Sequence, residues 1–367
     1  MKIIAAVSRS TTEPPQLEEL ELGAPRADEV LVQVMAAGVC HTDLRAHAGG
    51  GLPVPRPLVL GHEGAGIILQ VGSAVQHLQP GDHVVLSGSS CGGCPSCQAN
   101  LPSYCDEVLP RSFGGQRIDG SSALSAQGER IHGHFFGQSS FATHCLADAR
   151  GAVRIADDIP LQVAAPLGCG VITGAGTVLH VFGLRPGASL VVIGAGSVGL
   201  SAVMAARLSG ASQIITVDPL PQRRALSLEL GATATLDAAG DDIVAGVREL
   251  LPRGADFALN TTAVPAAYET SLQVLGTRGM AGFVTSPPEP FTTRLQTLQY
   301  GGRSLRGIIG GDAAPQLTIP LLLDHWKQGR FPMDRLITYF NFPDIAQAFS
   351  AAKAGQVVKP VLLMEHA

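Results

Sequence analysis

The chain has 367 residues, 46% of them hydrophobic and 15% charged, with 44 glycines and a formal net charge of −5. That length suits about two domains with a cleft between them, and the composition excludes a disordered or fibrous chain. A negative balance without any Lys/Arg run excludes nucleic acid and an anionic membrane surface as partners and points to a small molecule.

The first residues, Met1 to Val7, are followed at once by Ser8, Arg9 and Thr11. No apolar run there is long enough for a signal peptide, so a cytoplasmic location is expected. The seven cysteines should then be reduced, serving as metal ligands or core fillers rather than disulfides. Residues 29–35 alternate in polarity and 81–86 follow a Pro80-Gly81 turn, which predicts short strands in a β-rich first domain over 1–168. Cys40, His62 with Glu63, and Cys169 each lie near glycine at expected loop or strand ends, where a side chain can face a cleft. Thr42, two residues past Cys40, offers a hydroxyl that can pass a proton, with a turn or cap as the equal alternative. Cys91, Cys94 and Cys97 recur every third residue, and Cys105 follows eight residues later. Four thiols this close, among Gly and Pro, can close a tetrahedral zinc site with no open position, so the lobe at about 91–105 is structural. Residues 121–128 read as a polar loop.

The stretch 186–206 carries no charge and is long enough for a membrane span, but its four glycines favour a buried strand, a glycine turn and a buried helix. Gly194, Gly196 and Gly199 form the Gly-x-Gly-x-x-Gly pattern of a dinucleotide-binding turn, whose helix-start amides hold a pyrophosphate. Asp218 ends the next expected strand at a spacing suited to ribose hydroxyls. Its charge favours NAD over NADP, although Arg223 and Arg224 nearby leave NADP open, and a strand-end cap is the alternative for Asp218 alone. Strands at 190–193, 214–217 and 257–259 alternate with helices at 221–230 and 242–251, which implies a parallel, doubly wound sheet. Helices at 320–328 and 343–354 and a strand at 357–364 form a tail that returns to the first domain. Cys145, Trp326 and the histidines 83, 132, 134, 144 and 325 read as core or surface groups.

With these motifs in place the chain resembles the zinc-containing medium-chain alcohol dehydrogenases over essentially its whole length. Gly61-His62-Glu63 followed by Gly66, Gly72 and Val75 looks like that family's zinc signature, and the four-cysteine lobe is equally specific. Within the family it is most similar to the aryl-alcohol (benzyl alcohol) dehydrogenases, through 81–87, 133–141 and 166–176. The resemblance implies an α/β chain: a GroES-like catalytic domain (1–168), a Rossmann NAD-binding domain (169–309) and a C-terminal return (310–367). It implies two Zn2+ per chain and NAD. Cys40, His62 and Cys169 would hold the catalytic zinc, the Cys2His set already established for alcohol dehydrogenases. Asp43 would fix the His62 tautomer, and Glu63 would lie behind the metal. His41 and Lys359 would reach the pyrophosphate, while Thr173 and Val198 would press on the nicotinamide. Ser87, Phe135 and Phe136 would line an aromatic, uncharged substrate pocket, with Ile308 and Ile309 near its mouth.

The implied reaction is reversible oxidation of a primary benzylic alcohol to the aldehyde, with an allylic or terpene alcohol such as geraniol, or an aliphatic one, as alternatives. A dinucleotide-binding protein without turnover is the remote alternative. A homodimer or homotetramer is expected. One departure stands out: many members carry a relay histidine three residues after the threonine, and here that position is Arg45. Arginine does not release its proton at working pH, so His47 or water must be the terminal acceptor, with water favoured.

Overall fold

In the computed structural model, which describes residues 1–50 and 54–365, the chain forms two compact units. The first comprises Met1–Cys169, Ala314–Leu323 and the segment from Asp334 onward; the second comprises Gly170–Ala313 and Asp324–Met333.

The hub of the first unit is the strand Glu29–Gly38. It pairs antiparallel with Gly64–Val71, with His144–Asp148 and with the late strand Lys359–Leu363. The alternation seen in the sequence is only half of its environment: Val30, Val32 and Val34 are fully buried on one face, and Leu31 is 8% exposed on the other. Covering both faces of a central strand in this way favours Val, Leu and Ala throughout. A second sheet joins Leu58–Val59, Lys2–Ser8, Gln16–Leu22, Leu124–Ala126 and Glu129–Ile131 in that order. Phe135, Phe141, Leu58 and Leu86 belong to one hydrophobic cluster, each contributing on the order of 1.5–3 kcal/mol by burial.

The second unit is a six-stranded sheet, every pairing parallel, in the order Ala234–Leu236, Gln213–Val217, Ser189–Ile193, Ala255–Asn260, Leu275–Phe283, Ser304–Gly307. In sequence order this is 3-2-1-4-5-6, the dinucleotide-binding arrangement, which places a ligand at the carboxyl end of the first strand. The uncharged stretch 186–206 becomes the central strand Ser189–Ile193 and most of the helix Ser197–Leu208, in which every residue from Gly199 to Ala206 is buried. Its hydropathy reflects that burial. Among the described residues no single helix is long and apolar enough to cross a membrane.

Three elements differ from expectation. The polar loop at 121–128 is largely a hairpin, Leu124–Ala126 with Glu129–Ile131, turned by Gln127 and Gly128 at φ +49° and +85°; positive φ at both central residues is what a tight right-twisted hairpin needs. The helix expected from Pro320 starts at Pro315, with Pro320 inside it. Both prolines fit a first-turn position, and the sequence does not choose between them. Asp242 lies outside the helix Ile243–Leu250 and caps it, its carboxylate accepting the Ala245 N–H at 3.0 Å.

Candidate metal centres and coenzyme-binding turn

In the four-thiol lobe the ligand atoms of Cys91, Cys94, Cys97 and Cys105 lie within 4.8 Å of one another. Tetrahedral zinc with Zn–S of about 2.3 Å requires sulfurs about 3.8 Å apart, and the Cys91 and Cys97 sulfurs are separated by 3.9 Å. Backbone amides are aimed at the thiols. Cys91 Sγ accepts from Gly93 at 3.4 Å and Cys94 at 3.3 Å, and Cys105 Sγ accepts from Cys91 at 3.2 Å and Glu107 at 3.4 Å. Those amides bring the Cys91 thiol down to about 6, whereas burial and neighbouring sulfurs push Cys97 up to about 12. Four adjacent thiols do not all ionise without a cation, so the donor set fits a metal with no open position.

The second cluster is built from three turns of the first unit. Cys40 stands at the N-cap of the short helix His41–His47. His62 and Glu63 precede the strand Gly64–Val71, and Cys169 follows the 3-10 turn Ala165–Gly168. Their donor atoms also fall within 4.8 Å. Asp43 ties them together: one carboxylate oxygen accepts from His62 Nδ1 at 2.9 Å and from the Gly61 amide at 3.1 Å, the other from the Cys40 amide at 2.9 Å. A hydrogen on Nδ1 leaves the lone pair of Nε2 free, and Nε2 is buried with no hydrogen-bond partner. A buried acceptor of this kind calls for an electrophile. The thiols are unequal: the hydrogen bond from Cys169 carries Cys40 well below the ordinary thiol range, and the same bond carries Cys169 well above it. Burial opposes a charge on His62, but the Asp43 carboxylate outweighs it and raises its pKa. A divalent cation held here would take two thiolates and a neutral imidazole as its ligands.

Glu63 is fully buried and its carboxylate is engaged by Lys359 Nζ at 2.8 and 3.0 Å. Burial raises the Glu63 pKa although the lysine opposes it, and the lysine's own pKa is raised against its burial by that carboxylate. Gly38 makes room for the pair, since a Cβ there would lie 2.1 Å from a Glu63 oxygen. Lys359 itself is 1% exposed, and its third partner is the Val39 carbonyl at 3.2 Å. Its three N–H groups thus have three acceptors, with which a pyrophosphate would have to compete.

Thr42 is partly exposed, its hydroxyl 3.9 Å from the Cys40 sulfur, and Arg45 is exposed one turn on. His47 lies about 140° around the helix from Thr42. Its Nδ1 meets Ser8 Oγ at 2.8 Å and its ring stands edge-on to Phe349 at 5.7 Å, so it does not continue a relay from Thr42. Of the pocket residues, Phe136 is partly exposed and stacks on His62, centroids 4.5 Å apart at 25°. Phe135 has no exposed surface, which corrects its expected place in the pocket wall. It stands edge-on to His62 at 5.7 Å, to Phe136 at 5.1 Å and to Phe113 at 6.0 Å, and so supports the site from within the core. Ser87 is buried and donates to the Gly168 carbonyl at 3.0 Å. Gln138 went unnoticed in the sequence. Its side-chain oxygen accepts the Gly64 amide and its nitrogen donates to the His62 carbonyl, each at 3.1 Å; a partner 76 residues away leaves no local signal.

In the second unit Gly196 caps the helix Ser197–Leu208, and a Cβ on it would meet nothing within 4 Å, which is the open space a pyrophosphate needs. Gly199 does the opposite: its Cβ would sit 1.9 Å from the Gly194 carbonyl oxygen, so only glycine lets helix and turn approach. The Asp218 carboxylate accepts the Ala195 amide at 2.7 Å and the Leu220 amide at 2.9 Å. It therefore caps the turn, and each oxygen keeps a lone pair for a ribose hydroxyl. Arg224 is committed to the Asp218 carbonyl at 2.8 Å and to Asp237 at 3.1 Å, while Arg223 is partly exposed. Val198 is partly exposed, Thr173 is 9% exposed, Ile308 is buried and Ile309 is 54% exposed; His41 is on the surface.

Residues 26–157 match the alcohol dehydrogenase GroES-like domain, and residues 197–326 match the zinc-binding dehydrogenase family. The chain is 44% identical to a geraniol dehydrogenase of Castellaniella defragrans, covering 98% of this chain and 97% of that one. Among solved structures, an alcohol dehydrogenase zinc-binding domain protein from Burkholderia ambifaria superposes with a TM-score of 0.98 at 44% identity. A benzyl alcohol dehydrogenase from Acinetobacter calcoaceticus superposes with a TM-score of 0.96 at 39% identity. Both cover 100% of each chain.

Proposed function

The chain belongs to the zinc-binding alcohol dehydrogenases, and from that premise we propose that it oxidises primary aromatic alcohols such as benzyl alcohol to the aldehyde, with NAD as the hydride acceptor. The observation that carries the aromatic preference is the Phe136 ring, partly exposed and stacked on His62 at 4.5 Å. A flat apolar face beside the metal ligands favours a substrate whose carbinol carbon is attached to a ring. An allylic alcohol such as geraniol is the second reading, favoured by the 44% identical relative of that name. Both substrates place an unsaturated carbon next to the reacting one.

In this reading Cys40, His62 and Cys169 would hold the zinc, which would supply the Lewis acidity that brings loss of a hydroxyl proton from about pH 16 to roughly neutral pH. Asp43 keeps the hydrogen of His62 on Nδ1, so that Nε2 keeps its lone pair for the metal. Thr42 accepts the alcohol's hydrogen bond and passes the proton on. Arg45 does not take it and His47 faces Ser8, which leaves water as the acceptor. Gly196 and its neighbours receive the pyrophosphate, and Asp218 receives the adenosine ribose. A 2′-phosphate there would face a carboxylate already fixed by two amides, which is what favours NAD. The enzyme is further proposed to assemble as a homodimer or homotetramer, which light scattering decides.

The test is the initial rate of NADH formation with benzyl alcohol, geraniol and ethanol, each repeated with NADP, on protein with its zinc counted. Two zinc ions per chain with benzyl alcohol and NAD ahead is the expected result. Geraniol ahead selects the second reading, and ethanol ahead refutes both.

A further inference from the structure

The segment 134–139 is backbone under strain. His134, Phe136 and Ser139 have φ of +57°, +53° and +59°, and Gly137 between them +73°. Non-glycine residues in this region cost about 1–2 kcal/mol each and persist only where the surroundings over-determine them. One end of the segment is pinned from within: the Ser139 hydroxyl accepts the Phe135 amide at 2.9 Å and donates to the Val59 carbonyl at 2.7 Å. The other end has open space on one side. It borders a cavity of about 260 Å³ whose lining includes Glu29, Arg117, His134, Gly137, Ser89 and Asp148.

Across that cavity the restraint is polar. Glu29 is 7% exposed, and it accepts from Arg117 Nε at 2.6 Å and NH2 at 2.7 Å, from the Arg26 amide at 2.9 Å, and from His134 Nε2 at 3.4 Å. The arginine fork holds the carboxylate in one orientation, and the carboxylate holds the first of the left-handed residues. Two positions later the same backbone delivers the Phe136 ring onto His62. Because the neighbouring space is a cavity rather than packed side chains, a lost contact lets the segment relax into it.

We propose that Glu29, anchored by Arg117 and acting through His134, is a positioning residue that fixes the Phe136 ring over His62 and so sets the preference for ring-bearing substrates. The substrate half of this inference rests on the aromatic reading above; the positional half does not. The experiment compares Glu29→Gln and His134→Asn with Phe136→Ala in the zinc-loaded enzyme. Asparagine tolerates the left-handed region and so separates the polar contact from backbone preference. The expected result is that kcat/KM for benzyl alcohol falls about 10-fold more than for ethanol in all three, mainly through KM, at unchanged zinc content. If Phe136→Ala shifts that ratio while Glu29→Gln and His134→Asn only lower the melting temperature, the inference is overturned. If Phe136→Ala leaves the ratio alone, the aromatic reading fails instead. The ring resonances of 13C-labelled phenylalanine then decide the positional half: a displaced Phe136 signal in Glu29→Gln sustains it, and an unmoved one overturns it.

Discussion

Asp43→Asn is the most informative single change, because it keeps volume and removes only charge and one acceptor. The carboxylate accepts three N–H groups, from His62, Gly61 and Cys40. An asparagine has one oxygen for them. With the oxygen toward His62 and Gly61, its amide nitrogen faces the Cys40 N–H, leaving a buried donor unpaired at about 1–3 kcal/mol. With the amide turned, two donors face each other at His62, and the ring hydrogen is driven to Nε2, the atom needed for the metal. Either way the open site loses zinc affinity by about 10–100-fold, or roughly 1.4–2.7 kcal/mol, while the four-thiol lobe is untouched. Dialysis against graded chelator with zinc counted per chain reads both sites at once. The variant should drop from two zinc ions to one at 10–100-fold lower chelator than the wild type. Loss of the first zinc within two-fold of the wild type would refute the argument that Asp43 sets the donor state of His62.

Asp218→Ser should weaken NADH binding and tighten NADPH binding, an at least 10-fold change in their ratio by fluorescence titration; an unmoved ratio would mean that Asp218 only caps the turn. Lys359→Met strands the Glu63 charge in the core and should cost about 3–5 kcal/mol in urea unfolding, with KM for NAD little changed, and Lys359→Arg should recover most of it. A large KM effect without loss of stability would return Lys359 to the pyrophosphate. Burial pushes the Glu29 carboxyl up, but the hydrogen bonds from Arg117, His134 and the Arg26 amide together outweigh it and hold the pKa at about 2, below the reference 4.5. A depressed folded-state value contributes stability that is complete above pH 4.5 and lost as pH falls through about 2. Thermal melts of Glu29→Gln should therefore show a shallower acid limb over that window than the wild type, and parallel limbs would contradict it.

What was legible in the sequence was local. The three-residue cysteine spacing and the glycine turn with its flanking strand are each written within about twenty residues, and the structure brings the four thiols within 4.8 Å of one another. The helix Pro221–Leu230 and its neighbours follow from period and proline placement. What was not legible depends on pairing at a distance. Nothing near Lys359 announces Glu63, and nothing near His134 announces Glu29, 105 residues earlier. The difference in exposure between Phe135 and Phe136 turns on one left-handed residue, Phe136 itself; two adjacent aromatics look equivalent until φ decides which of them faces inward.

The Glu63–Lys359 pair also sets a clock. Its members are 296 residues apart, and the segment Gly170–Ala313, which forms most of the nucleotide-binding unit, lies between them. At 5–20 residues per second, about 15–60 s of synthesis separate the carboxylate from its ammonium. The parallel sheet has that interval in which to close on itself, while Gly38 lacks its Val361 partner and Glu63 its ammonium. The strand Lys359–Leu363 arrives as a late bolt, joining Val361 to Gly38 and neutralising the anion in one docking step. A chain stopped short of that strand carries every ligand of the cluster but not the charge balance that stabilises the folded form.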